Sequence, residues 1–153
     1  MDIRILGAHN CEAKDIKCVS FLIDDVLAID AGSLASSLSI SEQRKLKAIL
    51  ITHYHYDHVR DIPILGMNLL LNSATISLFS TAPVRDKLTA HLLNGDIYPN
   101  FLERPTDNPT IKFTVIEPLK TRQIEGYEIL PVAVGHSIPA VGYQITSPEG
   151  KKV

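Results

Sequence analysis

The run Ile49-Leu50-Ile51-Thr52-His53-Tyr54-His55-Tyr56-Asp57-His58 constrains this chain more than any other stretch. An apolar segment ends at Thr52, and three histidines and an aspartate follow within six positions. Imidazole and carboxylate are the usual ligands of zinc and similar divalent ions. In an extended segment alternate side chains point the same way, so His53 and His55 share a direction. If the backbone then turns into a helix, Asp57 and His58 fall on its first turn, near the same point. The stretch therefore offers donors for two neighbouring ions. The bland alternative is a set of solvated loop histidines, and the strand-then-helix context speaks against it.

The rest of the chain suits one domain, residues 1–153, with a real core. Apolar residues make up 45% and charged residues 21% of its 153 positions, which excludes a disordered chain. A net charge of −2 gives no general attraction to nucleic acid or to an anionic membrane, so neither DNA nor a lipid surface is expected as a partner. No apolar run approaches a bilayer-spanning length of about 20 residues. Cys11 and Cys18 match no common zinc or redox spacing and read as reduced thiols of a cytoplasmic protein, with one local disulfide as the lesser alternative.

Taken in order, Met1 to Leu6 predicts a strand, followed by a polar loop whose His9 could reach a site but reads first as solvated. Lys17 to Ile23 and Val26 to Ile29 predict two strands joined by an Asp24-Asp25 turn. Asp30 follows directly, either as a turn residue that caps what comes next or as a carboxylate holding a histidine ligand in place. Ser39 and Glu42 form a capping box for a helix over Ser41 to Leu46, and Lys47 to Thr52 is the strand that carries the histidine motif. Ile62 to Leu71 predicts a buried helix, with Pro63 in its first turn, Asn72 at its stop and Met67 as core filler. Thr75 to Ser80 is a strand. A helix capped by Thr81 then runs past Pro83 to Gly95, with His91 exposed. The proline-rich segment Asp96 to Thr110 reads as a long loop or a short irregular helix, able to border a substrate pocket. Strands follow at Ile111 to Val115, Gln123-Ile124, Tyr127 to Val134 and Ala140 to Thr146, with His136 just beyond the third. Lys151-Lys152-Val153 begins the return of a hairpin. Strands alternating with helices and ligands at strand ends indicate a layered α/β architecture with a site along one sheet edge.

His53-x-His55-x-Asp57-His58, preceded by Asp30-x-Gly32 and followed by a strand-end His136, resembles the metallo-β-lactamase superfamily over almost the whole chain. The segment His136-Ser137-Ile138-Pro139-Ala140-Val141-Gly142-Tyr143 is similar to its ribonuclease Z and cyclic-nucleotide phosphodiesterase branch. In place of the glycine-rich turn usual after the motif in ribonuclease Z-like chains stands Val59-Arg60-Asp61-Ile62. The resemblance implies a four-layered αβ/βα sandwich, of which these residues supply the N-terminal half with some following strands. It further implies that His53, His55 and His136 hold one zinc and that Asp57 and His58 belong to the set of a second. Asp30 matches the aspartate that supports a ligand from behind. The family's bridging aspartate is expected on a strand beyond Val153, so the chain reads as cut within a hairpin.

The function implied by the resemblance is that of a metal-dependent hydrolase. The expected cofactor is a divalent ion, zinc first with manganese or iron as alternatives, two in a complete site. Metal-activated water would attack a phosphodiester of a nucleotide or RNA, with Asp57 both binding metal and orienting the nucleophile's proton. A thioester or lactone hydrolase of the same fold, or a non-catalytic metal-binding module, are the competing readings. Three histidines complete the set of one ion, whereas Asp57 and His58 give the other only two donors. One firmly held metal and impaired hydrolysis are therefore expected of these residues alone. Half a sandwich also leaves an apolar sheet face open, which invites a homodimer or aggregation.

Overall fold

The computed structural model describes residues 1–153. In chain order the elements are β1 (Ile3–Gly7), β2 (Ser20–Ile23), β3 (Leu27–Ile29), α1 (Leu34–Ser37), α2 (Ile40–Gln43), β4 (Ala48–Leu50) and α3 (Tyr56–Val59). There follow α4 (Ile62–Leu71), β5 (Ile76–Ser80), α5 (Ala82–His91), β6 (Ile111–Val115), β7 (Arg122–Ile124), β8 (Tyr127–Val134) and β9 (Ala140–Thr146). β1 to β6 form one sheet in sequence order, antiparallel from β1 to β3 and parallel from β3 to β6. β7, β8 and β9 form a second, antiparallel sheet.

Alternation along the strands builds two cores, one on each face of the larger sheet. In β4, Ile49 faces one way with Leu22, Ala28 and Leu78, packing under Leu34, Leu65, Leu69, Val84 and Leu88 of the helices. Ala48 and Leu50 face the other way with Ile23 and Leu27, against Ile124, Tyr127, Ile129 and Ile145 of the small sheet. The result is three layers: helices, large sheet, small sheet. This is a layered α/β architecture of the kind the sequence led one to expect, with helices on one face of the large sheet and the small sheet on the other.

Most predicted elements are present with shifted ends. The capping box forms as expected, with Ser39 and Glu42 satisfying each other's backbone donors, but α2 stops at Gln43 and the following turn drops Leu46 into the core. α5 ends at His91, where the backbone N–H groups of Leu92 and Leu93 both reach the Leu88 carbonyl. The motif strand is shorter than predicted, because its ladders to β3 and β5 both stop at Leu50, on the β3 side where Asp30 adopts a left-handed φ of 59°. Asp24 and Asp25 do form the turn, both at positive φ. Lys152 pairs back onto Thr146, as the hairpin reading requires. The short α1 carried no signal strong enough to predict.

The segment from 96 to 110 is irregular as expected, yet it is anchored in the core. Phe101 is fully buried and lies against Gly66 of α4, where an added Cβ would stand 2.6 Å from the ring. No residue of this loop lines the cavity around the histidines, which corrects the expectation that it borders that pocket. No helix is long and apolar enough to cross a membrane.

The small sheet does not reach β1. Ile3 and Ile5, which share the inter-sheet face with Ile23 through their strand register, stay 42% and 68% exposed. The outer face of the small sheet is mixed, with exposed Val132 and Val134 beside exposed Glu128 and Gln144.

Ile129 sits at the centre of the inter-sheet core with no exposure. Ile129→Ala is expected to cost about 2–5 kcal/mol in urea unfolding. Val132→Ala on the outer face should change stability by about 0.5 kcal/mol or less. Equal effects of the two would contradict the assigned layering.

Candidate metal centre

The site begins with a buried carboxylate. Asp30 is 2% exposed, and an isolated charge there would be costly. It is not isolated. The Thr52 backbone N–H donates to its Oδ1 at 2.8 Å, the Thr52 hydroxyl lies 2.9 Å from Oδ2, and His58 Nδ1 donates to Oδ2 at 2.7 Å. That is the geometry of a carboxylate holding an imidazole, and Ser33 rather than Asp30 stands at the N-terminus of α1.

Proton directions follow from this arrangement. The Thr52 hydroxyl gives its one proton to Asp30, so it accepts from His53 Nδ1, 2.9 Å away. With Nδ1–H committed on both rings, His53 and His58 each present the lone pair of Nε2 outward. Asp30 thus sets the tautomer of one histidine directly and of another through Thr52.

The motif then does what its spacing suggested. His53 and His55 lie on the extended segment after β4, and His55 immediately precedes α3, whose first turn carries Asp57 and His58. His136, in the turn between β8 and β9, reaches them from the other sheet. His53 Nε2, His55 Nδ1 and His136 Nε2 form a triangle with all three sides 3.1 Å. The three rings stand nearly perpendicular to one another, at 78°, 83° and 73°. A ring N–H lies in its own plane and serves one acceptor, so three equidistant nitrogens with crossed rings are poorly explained as mutual hydrogen bonds. Tetrahedral ligands on zinc at about 2.0–2.1 Å are separated by about 3.3–3.4 Å, close to the triangle's side. The donor set fits a divalent ion. His58 Nε2 and Asp57 Oδ2, 3.2 Å apart, offer a second pair of donors on the same cavity.

That cavity measures about 780 Å³ and is open to solvent. Besides the four motif residues and His136, it is lined by Ala8, His9, Asn10 and Val19. His9, which reads from sequence first as solvated and only second as able to reach a site, lines it. It is exposed, and its loop is folded onto the site. His9 N–H bonds the Lys17 carbonyl, and Glu12 pairs with Arg60, directly after α3. Gly32 allows an equally close approach: a Cβ there would meet the Asp57 carbonyl at 1.9 Å, and neighbouring Ala31 N–H donates to the His58 carbonyl at 2.7 Å.

The electrostatics favour metal-ready histidine at His53. Burial, aided by the charges of His58, His136 and His55, lowers its pKa to about 4, so it is neutral near pH 7. His58 behaves oppositely. Burial pulls its pKa down, but the hydrogen bond and charge of Asp30, with the charge of Asp57, outweigh this and hold it above the ordinary value.

Comparison with known proteins gives a consistent picture. The sequence profile described as "Beta-lactamase superfamily domain" matches residues 20–153. Ribonuclease J of Mycoplasma pneumoniae is 26% identical over 136 residues, covering 88% of this chain and 21% of that protein. Ribonuclease Z of Pyrococcus abyssi is 32% identical over 102 residues, covering 65% of this chain and 30% of that protein. The chain therefore spans between a fifth and a third of the length of these curated relatives. Among solved structures, the metallo-beta-lactamase fold protein YhfI from Bacillus subtilis superposes with a TM-score of 0.76 at 19% identity, over 98% of this chain and 59% of that one.

One consequence is open to titration by NMR. In the metal-free protein, His58 is expected to titrate above the ordinary value of about 6.5. Asp30→Asn removes the charge that raises it and leaves burial to act, so the pKa should then fall below that value. An unchanged His58 pKa in Asp30→Asn would show that the pair is not coupled.

Proposed function

This chain belongs to the beta-lactamase superfamily, and from that premise we propose that it is a metal-dependent hydrolase acting on a phosphodiester of RNA or of a nucleotide. The observation that carries the proposal is the 3.1 Å triangle of imidazole nitrogens, sharing one open cavity with Asp57 and His58. The choice of bond is supported by the two relatives, both named as ribonucleases.

In this reading His53, His55 and His136 hold one divalent ion, and Asp57 and His58 contribute to a second. Three imidazoles suit zinc best, with manganese and iron as alternatives. A bound ion would supply water of lowered pKa and neutralise charge on phosphoryl oxygens. The protein's own part is orientation. Asp57, on the cavity wall, accepts a hydrogen bond from the incoming water and aligns its proton. Asp30 keeps His58 from rotating, and Thr52 does the same for His53. The loop through His9 and Asn10 closes one side of the cavity and is placed to meet the substrate.

The donor count sets the expected stoichiometry. Zinc titration of the purified chain should give one tight site, with any second ion much weaker. His136→Ala should weaken the tight site by at least about 100-fold, since removing a ligand exceeds the 10–100-fold typical of a supporting residue. Two equally tight ions in the wild-type chain would contradict this assignment.

Reaction class is separable from metal binding. The zinc- or manganese-loaded chain should cleave bis(p-nitrophenyl) phosphate slowly, and chelation or His53→Ala should abolish the cleavage. Turnover of a thioester or a lactone without any of the phosphodiester would sink the proposal and favour the other chemistry.

A further inference from the structure

The two residues before His53 have four backbone groups, and all four are held, from β5, from β9 and from the end of β3. Ile51 N–H donates to the Phe79 carbonyl at 2.9 Å, and Thr52 N–H donates to Asp30. The Thr52 carbonyl accepts from Val141 N–H at 3.1 Å. The Ile51 carbonyl accepts twice, from the Ser80 hydroxyl at 2.6 Å and from the Tyr143 hydroxyl at 2.7 Å. Ile51 is fully buried, and its carbonyl, which faces β5 as its N–H does, has neither water nor a backbone N–H as donor. The two hydroxyls replace them.

Their origins differ. Ser80 belongs to the same sheet as β4, so its bond ties neighbours that are already paired. Tyr143 belongs to β9 of the small sheet. β9 begins just after the turn that carries His136, and Val141 and Tyr143 are its contacts with the base of the histidine motif. These two bonds set how far the β8–β9 turn stands from His53 and His55. Of the two, Tyr143 makes its bond through a side chain.

We propose that Tyr143 is a positioning residue of the metal centre, whose hydroxyl bond to the Ile51 carbonyl places His136 at ligand distance from His53 and His55. This rests on the metal-centre reading above and adds to it the device that brings a ligand from one sheet to two ligands on another. Burial, with the nearby charge of Asp30, raises the pKa of the phenol, so the hydroxyl remains a donor throughout the working pH range.

The test compares wild type, Tyr143→Phe, His136→Ala and the double variant, each metal-free at the start. Zinc affinity is read by competition with a chromophoric chelator, and ligand geometry by the visible spectrum of the cobalt(II) form. Tyr143→Phe is expected to weaken zinc about 10–100-fold and to alter the cobalt spectrum. It should remain folded without metal, as judged by circular dichroism and melting. The double variant should bind zinc no more weakly than His136→Ala, because the hydroxyl acts through that histidine. Wild-type affinity and spectrum in Tyr143→Phe would overturn the proposal. So would an equal fold-loss in the His136→Ala background, or a Tyr143→Phe chain that unfolds without metal, since the hydroxyl would then be merely structural. A wild-type chain that takes up neither ion would overturn the metal centre itself, and the positioning role with it.

Discussion

Asp30 is a carboxylate with almost no access to water, and the arrangement of the histidines depends on how its charge is compensated. The compensation comes from donors that the site needs in fixed places: the N–H and hydroxyl of Thr52, and Nδ1 of His58. Burial raises the pKa of Asp30, while the hydrogen bonds of His58 and Thr52 oppose the rise. The same contact raises the His58 pKa, and whether the ring is neutral or charged its Nδ1 proton stays in the hydrogen bond to Asp30. That proton is what fixes the His58 ring. The left-handed backbone at Asp30 belongs to the same device. It ends β3, turns the carboxylate under the end of β4, and lets Asp30 N–H bond the Leu50 carbonyl. Strain at one non-glycine residue is tolerated because four or more bonds over-determine its position.

The fold brings these groups together through strand ends. β3 and β4 run parallel and stop at the same edge of the sheet, so Asp30 and His53 emerge side by side although they are far apart in sequence. The helices on one face and the small sheet on the other keep β4 dry on both sides, as its three fully buried residues require. A strand with no wet face tolerates no slip by one residue, since Ile49 and Leu50 serve different cores. Register along β4 therefore sets the height at which the histidines leave the sheet.

How much of this was legible in the sequence depends on the range of the interaction. The histidine motif was legible because its geometry is local: alternation brings His53 and His55 together, and the first turn of α3 adds Asp57 and His58. The bounds of α4 were likewise written in Pro63 and Asn72, and the capping box in Ser39 and Glu42. His136 was found as a strand-end histidine supported by a family resemblance, though no spacing rule ties it to residues 83 positions away. Thr52 and Tyr143 were passed over. Their hydroxyls act on Asp30 and Ile51, at separations of 22 and 92 residues, and a threonine or tyrosine beside an apolar run reads as ordinary strand composition. His9 reads first as solvated for a related reason. Its loop is polar throughout, and only the Glu12–Arg60 pair and the return at Lys17 decide which way it folds. The shortened β4 is the tertiary counterpart: an apolar run predicts a strand up to Thr52, and the ladders to β3 and β5 both stop at Leu50.

Because His136 comes from the small sheet, the proposed metal centre and the inter-sheet core would be thermodynamically one object. An ion that binds only the assembled triangle stabilises the folded chain by an amount set by its concentration relative to Kd, about 2.7 kcal/mol at a hundredfold excess. That stabilisation acts across the layer made by Leu27, Leu50, Ile129 and Ile145, since the triangle closes only when those residues are packed. The converse holds with equal force. Were the core loosened so that the turn carrying His136 moved, an ion held by the proposed triangle would lose one of three donors, while His53 and His55 follow β4. Affinity for metal is in this sense a readout of how well two sheets are docked. The cross-sheet bonds of Val141 and Tyr143 to Thr52 and Ile51 are where the two quantities meet.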